Sequence, residues 1–287
     1  YVLEPFGRNT AAAVAAAALQ VQQTHGDDAV MLVLAADHLV QDQAAFAAAV
    51  ARAQELARQG TLVAFGIQPD APETGYGYIE ADGERVVRFV EKPTLEKACE
   101  YLASGRYSWN SGMFCFTAGA ILREMGTHCP AIVQAVRDCL ERSVSATGKG
   151  FAQLQLDPDS FAEVPDDSID YAVMEKSQAM AVVQCSIGWS DIGSWSAVGD
   201  LTVPDAQGNR VDGEALLHDA ANCYIRGSGR VVGAVGVQDL IIIDTPDALL
   251  VADRSRSQDV KHLYAQLKRQ GHDAHKIHRT AHRPWGT

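Results

Sequence analysis

Apolar runs alternate with helix-patterned stretches through the first two thirds of the chain. Residues 29–35 and 62–67 are short, continuously apolar runs, which are typical of buried strands. Between them, Asp42 precedes a stretch with apolar residues at helical spacing that ends at Gly60, which predicts a capped helix. Such alternation builds sheets whose faces are covered by helices. We therefore predict an α/β fold with a mixed, mostly parallel sheet flanked by helices.

The pattern changes in the last third of the chain. Over residues 208–253, short strand-like pieces are separated by glycine and aspartate turns, and a helix-patterned stretch follows at residues 258–270. This spacing predicts a small β-rich appendage that is similar to a few coils of a β-helix. The predicted divisions are an α/β domain (residues 1–205), a β-rich domain with its closing helix (206–271) and a linker (272–287).

Composition narrows the range of partners. The formal net charge is −12, whereas nucleic acids are bound through many lysine and arginine contacts, so we expect no nucleic-acid partner. A local, metal-assisted site can still hold a small phosphorylated ligand. No apolar run approaches the roughly eighteen residues of a membrane span, and the start lacks the features of a signal peptide. We expect a cytoplasmic protein that does not bind a membrane, with six dispersed cysteines as reduced thiols.

Two aspartates at loop positions are the candidate metal ligands. Asp37 follows the apolar strand of residues 29–35, at the sheet edge where ligands of open α/β sheets bind. Asp191 lies in a loop that is rich in glycine and tryptophan. Mg²⁺ prefers carboxylate oxygen, so the two aspartates are predicted to share one Mg²⁺. The structural alternatives are a turn cap for Asp37 and a cap of a helix near Ser194 for Asp191.

Three further segments have the chemistry of a sugar phosphate site. Lys92 ends a strand directly before a proline, and a positioned lysine suits a phosphate as a point charge. Alone, the Glu91-Lys92 pair is equally typical of a solvated turn. Residues 75–78 and Asn110 offer backbone amides, an aromatic wall and an amide side chain, which are groups that hold sugar hydroxyls. Turn packing is the alternative role for the tyrosines.

A candidate anion site precedes the alanine-rich helical stretch of residues 11–22. Arg8, Asn9 and Thr10 lie at its start, where free N–H groups and the helix dipole attract anions. A helix cap without a ligand would explain Asn9 and Thr10 equally well. It would not explain why Gly7 and Arg8 precede them.

Taken together, these segments resemble one family, the mannose-1-phosphate guanylyltransferases. The shared motifs, in the family's order, are GRNTA (residues 7–11), ADH (36–38), ETGYGYI (73–79), FVEKP (89–93), WNSGMF (109–114), SIDYAVMEK (168–176) and GWSDIGSW (188–195). The resemblance covers nearly the whole chain and is nearest to the bacterial type that is fused to a mannose-6-phosphate isomerase. It implies a Rossmann-like nucleotide-diphospho-sugar transferase fold with a small C-terminal β-helix-like appendage.

The resemblance also implies an activity and a set of site residues. The implied reaction transfers GMP from GTP to α-D-mannose 1-phosphate, giving GDP-mannose and pyrophosphate for polysaccharide biosynthesis, and a homodimer is usual for such a domain. By similarity, Asp37 and Asp191 hold the catalytic Mg²⁺, and Lys92 contacts the mannose 1-phosphate. The other implied substrate-binding positions are Gly75, Tyr76, Glu91, Asn110 and Glu175 for the sugar, and Gly7, Arg8, Asn9 and Thr10 beside the guanine base.

The chain departs from the family pattern at both ends. Family members open with a strand and a glycine-rich loop that wraps the triphosphate, and the sequence begins after that loop. It stops at residues 283–287, which are similar to the start of the isomerase module. If these residues are the entire polypeptide, we expect poor activity; if the sequence is trimmed at both ends, we expect its parent to be the active enzyme. Two alternatives stay open, namely another sugar-1-phosphate nucleotidyltransferase that uses glucose 1-phosphate with UTP or dTTP, and a non-catalytic regulatory subunit that binds sugar nucleotides.

Overall fold

The structure is a computed structural model that describes residues 1–273. The chain divides into two compact units, Tyr1–Trp189 and a second unit that begins at Ser190. Residues 190–205, which the sequence pattern placed in the first domain, therefore group with the second unit. Most of the predicted linker, residues 274–287, lies outside the described part of the chain.

The first unit contains a six-stranded sheet with helices on both faces. Its helices are α1 (Asn9–His25), α2 (Gln43–Ala57), α3 (Leu95–Ser104), α4 (Ala118–His128), α5 (Pro130–Arg142), the short α6 (Pro158–Phe161) and a π-helix (Asp170–Met174). Its strands are β1 (Val2–Leu3), β2 (Val30–Val33), β3 (Leu39–Val40), β4 (Leu62–Ile67), β5 (Gly77–Asp82), β6 (Arg85–Val90), β7 (Tyr107–Thr117), β8 (Val144–Gly148), β9 (Phe151–Gln155) and β10 (Met180–Cys185), with β11 (Trp189–Ser190) at the boundary.

The order of the main sheet is β2-β7-β4-β10-β6-β5, and β5 also pairs with β7. A mixed sheet is thus confirmed, but the expected predominance of parallel neighbours is wrong for the described strands. β4 and β10 are parallel, whereas the pairings β2–β7, β4–β7, β10–β6, β5–β6 and β5–β7 are antiparallel. The physical reason is that β7 runs against β2 and β4, and that a tight turn joins β5 and β6 as a hairpin, which requires no helical crossover.

Both faces of the sheet are buried. On β4, Leu62 and Ala64 belong to a core shared with α1, α4 and α5, whereas Val63 and Phe65 belong to a core shared with α2 and α3. Alternate residues of a strand point to opposite faces, so a fully apolar run is what two covered faces require. The prediction of a buried strand at residues 62–67 is confirmed.

The apolar residues 113–117, which follow Asn110, predict a strand, and the observed β7 is longer and contains an irregularity. In its ladder with β4, Gly66 lies opposite Asn110 and Ala64 lies opposite Phe114, so β7 carries extra residues there. Gly112 has a φ of 71° at this point, a backbone conformation that glycine adopts readily. Bulges of this kind bend a strand and redirect a side chain. Asn110, predicted to precede the strand, lies at its bend.

The second unit is a small β-helix-like domain. Its elements are α7 (Trp195–Asp200), β12 (Arg210–Asp212), β13 (Ala215–His218), β14 (Tyr224–Gly227), β15 (Val232–Val235), β16 (Leu240–Asp244), β17 (Leu249–Asp253), a 3₁₀ helix (Arg254–Asp259) and α8 (Val260–Arg269). Strands β12, β14 and β16 stack in parallel, as do β13 and β15, and β17 closes the first stack in antiparallel orientation. The predicted β-helix-like appendage and closing helix are confirmed.

Left-handed residues mark the corners of the β-helix-like coils. Asp219, Asn222 and Asp239 all have φ between 51° and 55°. Asparagine and aspartate tolerate this conformation better than other residues with a side chain. The aspartate turns of the sequence therefore lie where the chain changes direction.

None of the helices within residues 1–273 has both the length and the apolar character that a bilayer span requires.

Candidate active site

The main sheet brings the predicted sugar segments together. Gly77 at the start of β5 pairs with Asn110 of β7, and the backbone N–H of Lys92 donates to the carbonyl of Tyr76 at 3.2 Å. Glu91 and Lys92 directly follow β6, the other neighbour of β5. The turn that contains Gly75 and Tyr76 is therefore adjacent to the Glu91-Lys92 pair and to Asn110.

The π-helix supplies two more carboxylates to the same place. Glu175, which directly follows it, accepts a hydrogen bond from the backbone N–H of Glu91 at 2.7 Å. Asp170, its first residue, accepts one from Nδ2 of Asn110 at 2.8 Å. The Asn110 Oδ1 accepts from the N–H of Gly112 at 3.1 Å, so both ends of the amide are held. Single π-helical turns are frequent at functional sites, where they reshape a helix.

Asp170 is the residue of this site that sequence reasoning missed. It lies in the SIDYAVMEK motif, five positions before Glu175. On an α-helix, neighbours on one face are three or four positions apart, so this spacing does not predict a shared face. The π-helical turn changes that geometry. The motif that contains both acids was the signal that could have identified Asp170. Placing the two acids on one face, however, would have required the prediction of a π-helical turn.

Glu91 is a deeply buried acid of the site. Its side chain is 8% exposed, and its Oε1 lies 3.1 Å from the Nζ of Lys92. Its Oε2 is buried and has no hydrogen-bond partner among the described residues. A Cβ atom on Gly77 would lie 2.5 Å from that oxygen, so a side chain there would displace the carboxylate. A buried polar atom without a partner is costly, and a ligand hydroxyl is a natural partner for it.

The electrostatics of the cluster follow from burial and from like charges. Burial raises the pKa of Glu91, the negative charges of Asp170 and Glu175 raise it further, and Lys92 opposes the shift. Burial also raises the pKa of Asp170, against the hydrogen bond from Asn110. For Lys92, burial lowers the pKa, but the ion pair with Glu91 outweighs it and the net shift is upward. The lysine is therefore a cation, and it faces an excess of acids.

A chain of aromatic contacts leads from this cluster toward Asp37. The ring centroid of Tyr76 lies 5.2 Å from that of Trp109 and 5.4 Å from that of Trp189, both in edge-on geometry. The Nε1 of Trp189 donates to the Nδ1 of His38 at 3.2 Å. His38 directly follows Asp37, which is exposed between β2 and β3. The turn of the sugar segment and the Asp37 loop thus contact the same tryptophan.

Family models match both units of the chain. The family model of nucleotidyl transferases matches residues 1–207, and a model described as a MannoseP isomerase/GMP-like beta-helix domain matches residues 213–267. This chain belongs to the nucleotidyl transferase family. The expected fold, with its C-terminal β-helix-like appendage, is thereby confirmed.

Relatives of this nucleotidyl transferase cover almost all of the chain. It is 48% identical to a mannose-1-phosphate guanylyltransferase of Escherichia coli and to the xanthan biosynthesis protein XanB of Xanthomonas campestris, over 99% of the chain in each case. The chain spans 61% of the length of each of these relatives. A crystal structure described as a mannose-1-phosphate geranyltransferase of Thermus thermophilus superposes with a TM-score of 0.80 at 33% identity, covering 93% of this chain and 77% of the other.

The segment at the start of α1 differs from the expected cap. Helix α1 begins at Asn9, and no side chain caps its N-terminus. The Asn9 Oδ1 accepts from the N–H of Thr10, and the Thr10 Oγ1 accepts from the N–H of Ile169. Asn9 has a φ of 62°, in the left-handed region, whereas an N-cap residue typically has an extended backbone. The Thr10 hydroxyl instead ties this segment to the residue before Asp170.

Protein groups already use part of the predicted anion site. The N–H of Ala11 donates to the carbonyl of Asp167 at 3.1 Å. The guanidinium of Arg8 donates to the carbonyl of Ala162 and lies 5.5 Å above the ring of Phe6. Gly7 is exposed, with open space at its Cα. The proposed contact of residues 7–10 with a guanine base stays a prediction.

Asp191 belongs to the second unit and is not a helix cap. Its Oδ1 accepts from the N–H of Gly193 at 3.0 Å, whereas the Oγ of Ser194 accepts from Ala197 and caps α7. The helix-cap alternative for Asp191 is therefore wrong. Within residues 1–273, no group of three or more His, Cys, Asp or Glu side chains is arranged to hold a metal. The oxygen donors of Asp37 and Asp191 suit Mg²⁺, and their sharing of one ion stays a prediction.

Proposed function

We propose that this chain transfers GMP from GTP to α-D-mannose 1-phosphate, giving GDP-mannose and pyrophosphate. The observation that carries the proposal is the cluster of polar side chains, Glu91, Asn110, Asp170 and Glu175, directly beside the cation of Lys92. Such a site offers acceptors for a sugar and a positive charge for its phosphate. The names of the guanylyltransferase relatives support mannose 1-phosphate and GTP as the substrates.

The chemistry requires no nucleophile from the protein. A phosphate oxygen of mannose 1-phosphate attacks the α-phosphorus of GTP in line, a new P–O bond forms, and the bond to pyrophosphate breaks. The protein lowers the barrier through positioning and through neutralisation of the charge that develops on the phosphates. Asn110 and the neighbouring carboxylates orient the sugar, and Tyr76 forms a wall beside it.

Lys92 is the charged group that binds the sugar's phosphate. Its side chain is 55% exposed, and its φ of 47° is unusual for a residue with a side chain. Pro93 follows it and limits the local backbone. Strained backbone that surrounding structure maintains is often found at ligand sites. The strain thus holds the ammonium at the edge of the sugar cluster.

Asp37 and Asp191 are the residues that would hold Mg²⁺ in this proposal. When bound, the ion neutralises phosphate charge as a Lewis acid. Replacement of Asp191 by alanine is expected to remove most turnover and to leave the fold intact. An Asp191→Ala chain with an unchanged rate and unchanged magnesium dependence would contradict this role.

The biological setting follows from the same relatives. The name of XanB links that protein to xanthan biosynthesis, and we propose that GDP-mannose made by this chain likewise serves polysaccharide synthesis. We further propose a cytoplasmic homodimer. Sedimentation velocity of the purified chain tests the dimer.

The proposed reaction is tested by magnesium-dependent release of pyrophosphate. The assay combines GTP, UTP or dTTP with mannose 1-phosphate or glucose 1-phosphate in a full panel. The expected result is release with GTP and mannose 1-phosphate well above every other pair. A preference for glucose 1-phosphate with UTP or dTTP would replace the proposal with the related nucleotidyltransferase. Calorimetric binding of GDP-mannose without turnover in any pair would indicate a regulatory subunit.

A further inference from the structure

The cation proposed to bind the substrate phosphate is already paired with a buried acid. The Nζ of Lys92 lies 3.1 Å from the Oε1 of Glu91, and among the described residues it is the cation in contact with that carboxylate. A substrate phosphate that attracts this ammonium removes the counter-ion of Glu91. The buried carboxylate must then be compensated in another way, because burying an unpaired charge is strongly unfavourable.

Lys92 is the cation among the groups that act most strongly on Glu91. The charged groups that face it are Asp170 and Glu175 from the π-helix segment, in addition to Lys92 at the end of its own strand. The residues opposite it on β5 and β7 are Gly77 and Asn110, which carry no charge. Loss of the lysine would therefore leave Glu91 beside two other acids.

The hydrogen bonds indicate which of the three acids would accept a proton. The Oδ1 of Asp170 accepts from Asn110 and the Oε1 of Glu175 accepts from the backbone N–H of Glu91, so each of these two acids already has a hydrogen-bond donor. The Oε2 of Glu91 has no donor among the described residues, although the side chain is only 8% exposed. Oε2 is thus the oxygen that gains most from a proton.

We propose that Glu91 takes up a proton when a sugar 1-phosphate binds, and that its neutral carboxyl then donates a hydrogen bond to a sugar hydroxyl. The substrate phosphate attracts the Lys92 ammonium away from Oε1, one proton moves from solvent to Oε2, and no other bond is made or broken. This inference rests on the proposed function. It adds to that function a change in the role of Glu91, which becomes a hydrogen-bond donor to the sugar only after the substrate phosphate has bound.

The electrostatics of the free site agree with this step. Even with Lys92 in place, burial and the adjacent acids raise the pKa of Glu91 above its ordinary value. When Lys92 moves away from Glu91, the positive charge that lowers the pKa of Glu91 is lost, so the pKa of Glu91 rises further in the complex. Binding and protonation are then linked, and the complex binds more protons than the free protein.

Isothermal titration calorimetry measures the linkage directly. Mannose 1-phosphate is titrated into the chain at one pH near neutrality, in buffers with different ionisation enthalpies, and the slope of enthalpy against ionisation enthalpy counts protons. We expect an uptake approaching about one proton per site. In Glu91→Gln, whose amide mimics the neutral acid but cannot titrate, we expect the uptake to vanish and the affinity to stay within about tenfold.

Two further variants control the experiment. Glu141→Gln removes an exposed acid on α5 that lies outside the cluster, and it should leave the uptake unchanged. Glu175→Gln removes one of the charges that face Glu91, and it should reduce the uptake. Circular dichroism verifies that each variant is folded, and the titration is repeated at a lower and a higher pH.

The possible outcomes separate this inference from the proposed function. Binding of mannose 1-phosphate with GMP transfer but without proton uptake, or with the same uptake in Glu91→Gln, would overturn the inference alone. Proton uptake on binding of glucose 1-phosphate, with transfer from UTP or dTTP, would overturn the proposed substrates and support the inference. Loss of uptake in Glu91→Gln with retained binding supports it in either case.

Discussion

Each of the two units contains a buried carboxylate, and the two differ in how their oxygens are paired and in the direction of their pKa shifts. In the second unit, Asp244 is 6% exposed and accepts from Arg230 through both Nε at 2.8 Å and Nη2 at 2.5 Å. The Arg230 guanidinium lowers the pKa of that carboxyl. In the first unit, Glu91 is 8% exposed, is paired with a lysine, which is a more flexible cation, and has a raised pKa. Two carboxylates with similarly low exposure therefore differ in the direction of their pKa shifts, upward for Glu91 through burial and neighbouring acids and downward for Asp244 through its arginine.

The geometry of the ion pair distinguishes an acid with a structural role from an acid that is available to a ligand. A planar guanidinium satisfies both oxygens of a carboxylate in one fixed geometry, so Asp244 retains no capacity for a ligand. Lys92 is a point charge that contacts one oxygen of Glu91, and Oε2 is left without a donor among the described residues. Perturbed acids that lack full compensation are concentrated at functional sites. Incomplete pairing of a buried acid therefore distinguishes Glu91 from Asp244.

The largest effect is expected when the cation of the first unit is removed. Replacement of Lys92 by methionine keeps the length of the side chain and removes its charge, and it should lower the rate of GMP transfer by about 10²–10³-fold, as for other fixed electrostatic groups. Steady-state release of pyrophosphate measures it. Lys97→Met, an exposed lysine on α3, is the matched control. Equal rates for the two variants would mean that Lys92 is only a surface lysine.

A methyl group on Gly77 should disturb the same acid without touching its charge. The added Cβ would lie 2.5 Å from Oε2 of Glu91 and 3.2 Å from Cβ of Asn110, which is too close for either. Overpacking typically costs about 1–3 kcal/mol, so we expect the KM for the sugar phosphate to rise roughly five- to hundredfold. Gly126→Ala, in helix α4 with open space around it, should leave KM unchanged. An unaffected KM in Gly77→Ala would contradict the tight contact.

The pH dependence of stability should reveal the uncompensated acid. The pKa of Glu91 is raised in the folded chain, so its favourable contribution is complete below the ordinary pKa of a glutamate and is lost as the pH rises through the raised pKa. Between those two pKa values, wild type should lose stability relative to Glu91→Gln by about 1.4 kcal/mol per pH unit. Urea unfolding at several pH values measures it. Parallel stability curves would show that Glu91 titrates normally.

The smallest effect, with the opposite sign, is expected in the second unit. The pKa of Asp244 is lowered in the folded chain, so its contribution is present at neutral pH and is lost as the pH falls through that lowered pKa. Asp244→Asn should thus be less stable than wild type at neutral pH and equal to it in acid. Because Arg230 is 72% exposed, solvent screens the pair and the difference should be modest. Thermal unfolding at two pH values measures it, and a gap that persists in acid would refute the assignment.

Local patterns predicted many of the elements. The apolar run of residues 62–67 coincides with β4, Asp42 caps α2 through the N–H of Ala45, and the closing helix of residues 258–270 contains α8. These features depend on neighbours in the sequence, so periodicity and capping residues reveal them. The direction of the strands was predicted less well, because β7 and the β5–β6 hairpin join the sheet through long-range pairing.

The sequence by itself determined the family motifs, the acids and lysine of the candidate site, and the segments that carry them. Only the tertiary structure decided which of those acids meet, because Asn110 and Asp170 are 60 positions apart and Glu91 and Glu175 are 84 apart. It also decided that Oε2 of Glu91 has no donor among the described residues. Ionisation depends on burial and on nearby charges in space, and a linear sequence contains neither quantity.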